Sequence, residues 1–197
     1  MTLSSRINGV LKKIPTWAIY LFGLLTPAAL FGAAALGHMG VEPIKALEHK
    51  LGELALQLFI LTLAVTPMRR FTGLNLIKFR RAFGLLTFYF VSCHLLVWLV
   101  LDVQILNQIW ADILKRPYIT IGMASFVLLI PIALTSNNTS IKKLTPKKWK
   151  RLHQISYVAA ILGAVHFVML TKGFQWEPLI YLGLIFGLLA LRMIPKK

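Results

Sequence analysis

Five histidines stand in a 197-residue chain that holds one cysteine and six acidic residues, and two of them sit where an ionisable side chain is expensive. His94, in Phe90-Val-Ser-Cys-His94-Leu-Leu-Val-Trp98, and His166, in Gly163-Ala-Val-His166-Phe-Val-Met169, are embedded in long apolar runs. An ionisable group in hydrocarbon marks a functional site by default. A neutral imidazole keeps one nitrogen lone pair, so two imidazoles at one level can grip a single metal ion from opposite sides. Other chemistries are poorly served. Cys93 alone excludes a disulfide framework and any cysteine-based zinc or iron–sulfur site. Zinc lacks a third ligand at the same level. Proton-coupled transport lacks an intramembrane acid, because only Glu53 and Asp102 lie near the apolar runs, both close to their ends.

The elements that must position these histidines follow from composition. Hydrophobic residues make up 57% of the chain and charged residues 14%, against about a quarter charged in a soluble domain. Too few polar side chains remain to cover a water-facing surface, so an ordinary cytosolic enzyme is excluded. A spanning helix needs about 20 mostly apolar residues. The sequence predicts an all-α integral membrane bundle of six transmembrane helices, a single domain over 1–197, with spans at about 17–36, 51–67, 82–101, 118–135, 153–171 and 178–194. The first span has Lys12 and Lys13 ahead of it, as a signal peptide would, but its length and the spans behind it favour an uncleaved helix. His94 then lies roughly 18 Å into the third span and His166 roughly 20 Å into the fifth. Odd-numbered spans run in the same direction, so the imidazoles share a level. Two facing imidazoles in a helical bundle suit bis-histidine ligation of a flat b-type haem. A hydrogen bond to a neighbouring helix accounts for one buried histidine; a matched pair without carboxylates argues for ligation.

Charge sets the expected orientation. Of 22 Lys and Arg, 17 fall at the N-terminus, in the second-to-third and fourth-to-fifth loops and in the tail, where Lys196 and Lys197 stand, and five fall on the other side, Lys172 among them. By the positive-inside rule both termini are cytoplasmic. The net charge of +16 thus reads as an orientation signal and a contact for anionic lipid heads. Nucleic-acid binding is excluded, since no stripe of base-stacking aromatics accompanies the charge. Trp17, Trp98, Trp110, Trp149 and Trp176 read as an aromatic belt.

His153 opens the fifth span about 19.5 Å below His166 along a helix, so one haem cannot use both. It serves a second, inner haem, or contacts a propionate or a flavin phosphate. An undistorted helix would turn it about 140° from the His166 face. Arg80, Arg81, Lys150 and Arg151 cluster at the same ends of the two histidine-bearing spans and offer donors to propionates or a phosphate; anchoring to the membrane surface accounts for them equally. His38 reads as a solvated loop residue. His49 begins a helix near the outer face, within reach of a quinone head group or a partner. No GxGxxG or P-loop pattern occurs, so the chain has no recognisable hydride-accepting site, and electrons must come from a membrane quinol, a bound flavin or a separate reductase.

Five stretches carry a resemblance: Glu42-Pro-Ile-Lys-Ala-Leu-Glu-His49-Lys-Leu-Gly52; Leu63-Ala-Val-Thr-Pro67-Met-Arg-Arg70; Arg80-Arg-Ala-Phe-Gly84-Leu leading to His94; Arg116-Pro-Tyr118; and Trp149-Lys-Arg-Leu-His153 leading to His166. In this order they resemble the ferric-reductase-like transmembrane haem proteins, and among them the haem-binding subunits of bacterial protein-methionine-sulfoxide reductase systems. The resemblance implies a multi-pass protein of the bacterial inner membrane holding haem b, one or two per chain, and FMN. It implies electron transfer from the membrane quinone pool, or from a cytosolic flavin reductase, to a periplasmic molybdopterin-containing catalytic subunit that repairs methionine sulfoxide in oxidised periplasmic proteins. The wider family usually has two histidine pairs; here Arg80 or Arg81 stands where the inner partner would lie. The expected function is a transmembrane electron conduit, an electron-transfer subunit with no catalytic residues of its own. His94, His166 and His153 are its metal ligands, and Arg80, Arg81 and Arg151 its further cofactor contacts. Its rivals are a free-standing ferric or quinone reductase and a non-redox transporter or anchor that uses histidine only for packing.

Overall fold

The computed structural model describes residues 3–171 and 173–194; Lys172, Lys196 and Lys197, counted in the charge asymmetry, lie outside them. The described residues form helices and no strand. In order they are α1 (Leu3–Lys13), α2 (Thr16–Ala35), α3 (Pro43–Phe71), α4 (Arg80–Val97), α5 (Leu106–Lys115), α6 (Pro117–Leu134), α7 (Asn138–His153), α8 (Ile155–Leu170) and α9 (Trp176–Met193), with a 3-10 turn at Ile77–Phe79 leading into α4 and a π turn at Trp98–Val103 continuing it. Six helical segments are long and apolar enough to cross a membrane: Thr16–Ala35, Pro43–Phe71, Ile77–Val103, Pro117–Leu134, Asn138–Leu170 and Trp176–Met193. The protein is an integral membrane bundle.

Three departures from the hydropathy pattern matter for the site. Helix α3 has 29 residues, about 43 Å, and outruns its apolar stretch at both ends. Pro43 occupies a first-turn position that needs no amide donor, and the i,i+3 pairs Glu42–Lys45 and Lys50–Glu53, at 2.7 and 2.9 Å, support its polar beginning. His49 therefore lies inside this helix and does not begin it. The π turn after α4 ends at Gln104, whose φ of 62° closes the segment abruptly. Helix α7 is broken at Thr145 (φ 65°, ψ 149°), the residue before Pro146, where the proline ring disfavours the α conformation. Its last turn meets α8 at Gln154, so His153 ends one helix and His166 lies in the next.

Helices α3, α4, α6 and α8 enclose the centre of the bundle. Leu56, Phe59, Leu63, Leu129, Ala159, Ala160, Ala164 and Ile185 form the main core, with α9 contributing Ile185. Ala159, Ala160 and Ala164 are fully buried; small residues let membrane helices approach closely, and the buried Ser125 hydroxyl donates from α6 to the Ala159 carbonyl of α8 at 2.8 Å. Leu47, Leu51, Ala55, Phe90 and Val97 join α3 to α4. Helix α2 lies outside α4 and exposes Leu21, Phe22, Leu24, Leu25 and Phe31, a surface suited to lipid.

Candidate functional site

The bundle holds two cavities, one toward each end. The distal cavity, remote from both termini, has a volume of about 650 Å³ and is lined by His94, His166, Trp98, Phe126 and Phe167 among others. The terminal cavity, on the side of both termini, measures about 1530 Å³ and contains His153, Trp149 and Tyr157. Phe59 and Leu129 line both and form the floor between them. Phe88 of the terminal cavity stacks on Phe126 of the distal one, with ring centres 5.6 Å apart and planes 6° from parallel.

In the distal cavity the two imidazoles are brought together from α4 and α8. Their ring centres are 6.3 Å apart and their planes 76° from parallel. His94 Nδ1 donates to the Glu48 carbonyl of α3 at 2.9 Å, and His166 Nδ1 donates to the Tyr118 carbonyl of α6 at 2.7 Å. A carbonyl can only accept, so both rings are held with the proton on Nδ1 and the lone pair on Nε2. A metal-ligating histidine ordinarily gives its other ring N–H to such an acceptor. Two metal–imidazole bonds of about 2 Å and two ring radii of about 1.1 Å span about 6 Å, so the spacing fits one ion between the pair. The donor set therefore suits a bis-histidine haem.

The same local device holds each ring. Gly52 lies one helical turn beyond Glu48 in α3, and Gly122 one turn beyond Tyr118 in α6. A Cβ at Gly52 would stand 3.2 Å from His94 Nδ1, and one at Gly122 would stand 2.8 Å from His166 Nδ1. Each glycine thus leaves room for an imidazole to lie against the neighbouring helix and reach its backbone. Arg116 reinforces the α6 side: its Nη1 donates to the Tyr118 hydroxyl at 3.3 Å, which raises its pKa, and its Nε pairs with Asp112 at 3.1 Å.

Electrostatically the cavities are opposites. Four of the six acidic residues, Glu48, Glu53, Asp102 and Glu177, line the distal cavity beside Lys45, His49 and Arg116. Among the described residues, the lining of the terminal cavity has no acid and seven cations: Arg69, Arg70, Lys78, Arg80, Arg81, Lys150 and Arg192. His153 stacks on Trp149 at 3.8 Å, and its Nε2 meets the Thr135 hydroxyl at 3.1 Å. That hydroxyl gives its proton to the Pro131 carbonyl at 2.6 Å, so it accepts from His153 Nε2–H. His153 is thus held in the opposite tautomer from the distal pair, with Nδ1 as its basic nitrogen. Arg81 donates to Asn138 Oδ1 at 2.8 Å.

Arg80, Arg81 and His153 share the terminal cavity, but Arg151 is exposed and outside it. His49 reaches the distal mouth, whereas His38 is an exposed turn residue. Two members of the expected aromatic belt face inward: Trp98 is buried on the distal cavity, and Trp149 donates its indole N–H to the Thr135 carbonyl at 2.8 Å. Sequence reasoning missed Gly52, Gly122 and Arg192. A glycine within an apolar span signals close helix approach, but not which side chain approaches.

Residues 51–164 match the family described as ferric reductase like transmembrane component. The chain is 46% identical over 179 residues to the protein-methionine-sulfoxide reductase heme-binding subunit MsrQ of Brucella anthropi, covering 90% of this chain and 81% of that protein. The protein of the same name from Brucella melitensis biotype 1 is 46% identical over 178 residues, covering 90% and 80%.

Proposed function

The chain belongs to the ferric reductase-like transmembrane family, in the branch of the MsrQ heme-binding subunits, and from that premise we propose that it is the haem b electron-transfer subunit of a protein-methionine-sulfoxide reductase system. The observation that carries this reading is the His94–His166 pair: two imidazoles with ring centres 6.3 Å apart, each giving its Nδ1–H to a backbone carbonyl and keeping its Nε2 lone pair free. His94 and His166 hold the distal haem. When bound, haem supplies one-electron chemistry that no side chain of this protein offers.

The residues themselves supply position and electrostatics. The Glu48 and Tyr118 carbonyls fix the tautomers and raise the basicity of the imidazoles. Trp98, Phe126 and Phe167 supply apolar wall beside the pair. His153, Arg80 and Arg81 serve an inner haem or FMN in the terminal cavity. The charge asymmetry orients both termini to the cytoplasm of a bacterial inner membrane, which directs electrons outward from quinone or a cytosolic flavin reductase toward a periplasmic molybdopterin-containing catalytic subunit.

A reduced-minus-oxidised spectrum with pyridine haemochrome quantitation tests the reading on wild type, His94→Ala, His166→Ala and His153→Ala. A low-spin b spectrum lost with either member of the pair is the expected result. Haem-free wild type after expression with ample haem supply overturns it and leaves the non-redox anchor.

A further inference from the structure

The distal pair explains the distal cavity, but the terminal cavity holds a charge that no acid among the described residues of its lining balances. Arg192, near the end of α9, turns inward. Its Nη1 donates to the Tyr157 hydroxyl at 2.8 Å, its Nη2 donates to the Leu63 carbonyl at 2.5 Å, and its guanidinium carbon lies 5.1 Å from the centre of the Tyr157 ring. Its Nε is buried without a hydrogen-bond partner among the described residues. Among the described residues, every acceptor given to this cation is therefore neutral. Arg80, on α4, lines the same cavity as Arg192. A basic residue that only anchors a membrane helix extends toward water and lipid phosphates; Arg192 instead is tied to the interior of the bundle on both sides. A planar guanidinium locked in this way is pre-organised for a carboxylate or a phosphate.

We propose that Arg192 and Arg80 form an oxyanion subsite of the terminal cavity, which takes the carboxylate or phosphate of a ligand whose flat apolar body lies against Phe88 and Trp149. The subsite rests on the reading of this cavity as a cofactor cavity and is independent of the histidine pair. The oxyanion supplies the counter-charge that the described lining lacks. His153, stacked on Trp149 and hydrogen-bonded to Thr135, forms part of the wall for the ring system, and the two arginines discriminate ligands by charge.

The test uses purified full-length protein in detergent, with tryptophan fluorescence quenching as the readout. FMN carries a flat ring and a phosphate; riboflavin carries the same ring without the phosphate. FMN is expected to bind at least about tenfold tighter than riboflavin. Arg192→Gln is expected to bring that ratio close to one, with riboflavin binding unchanged. Because Arg192→Gln also removes the Tyr157 and Leu63 contacts, Arg80→Gln gives a second reading and is expected to narrow the ratio in the same direction. Lys147→Gln, an exposed position outside the cavity, is the control.

Two further arms identify the natural oxyanion. Displacement of FMN by phosphatidylglycerol but not phosphatidylcholine nanodiscs assigns the subsite to a lipid headgroup. Displacement by haem but not by its dimethyl ester assigns it to propionates. Equal FMN and riboflavin affinities in wild type overturn the proposal, as does a ratio that survives both arginine substitutions. A haem-free protein that keeps the FMN preference sinks the haem reading and leaves the subsite standing.

Discussion

The two cavities put the same side chain to different uses, and the difference comes from the neighbouring helix. In the distal cavity α3 and α6 each present a bare backbone carbonyl beside a glycine, so His94 and His166 give up Nδ1–H and keep Nε2 free. In the terminal cavity α6 ends in Thr135, whose hydroxyl accepts the Nε2–H of His153. The distal cavity is mixed in charge and built around a matched pair of ligands. Among the described residues, the terminal one is cationic and acid-free, with a single histidine on its wall. The first is specified by ligand geometry and the second by charge.

The largest test of that contrast removes a ligand. His94→Ala or His166→Ala should each weaken haem binding by more than about 100-fold, since losing a ligand exceeds the cost of losing the group that orients it. Haem titration of the apoprotein measures this, and a low-spin spectrum surviving in either variant breaks the comparison.

Next come the glycines. Gly122→Ala drives a methyl to 2.8 Å from His166 Nδ1, against 3.2 Å from His94 Nδ1 for Gly52→Ala. Haem affinity should fall about 10–100-fold for Gly122→Ala and by less for Gly52→Ala. Its midpoint potential should rise in both, because a weaker Nδ1–H bond makes a less basic ligand. Equal effects, or none, would show that the rings are not held by this close packing.

A smaller effect is expected on the terminal side. His153→Ala should leave the distal low-spin spectrum intact and lower stability by about 1 kcal/mol, through the lost Thr135 bond and Trp149 stacking. Thermal unfolding in detergent reads this, and a changed distal spectrum would show that the cavities are not independent. The smallest change is Ser125→Ala, which removes the α6–α8 bond to the Ala159 carbonyl and should cost about 0.6 kcal/mol with haem content unchanged.

Much of this molecule was legible in sequence because lipid is a strict solvent. Hydrocarbon leaves the backbone few ways to satisfy its polar groups, so six apolar runs became six membrane-crossing segments, and the equal depths of His94 and His166 followed from helical rise alone. The 140° offset calculated for His153 assumed an undistorted helix. Gln154, between α7 and α8, keeps helical φ and ψ of −68° and −21°, and the histidine joins the terminal cavity with Arg80 and Arg81. Arg151 was not separable from them by sequence, since adjacent residues in a basic loop differ only in the direction each takes from the helix. Trp98 and Trp149 likewise matched an aromatic belt in composition, and only packing turned them inward.

By itself the sequence determined the solvent, the number of crossing helices and the level of the two imidazoles, because hydropathy and rise are properties of one chain segment at a time. Tertiary structure decided which nitrogen each histidine keeps free, which glycines let it do so, and which of the basic residues face a shared cavity. Those outcomes depend on an acceptor or a charge contributed by a different helix, and no periodicity within one segment encodes the neighbour it meets.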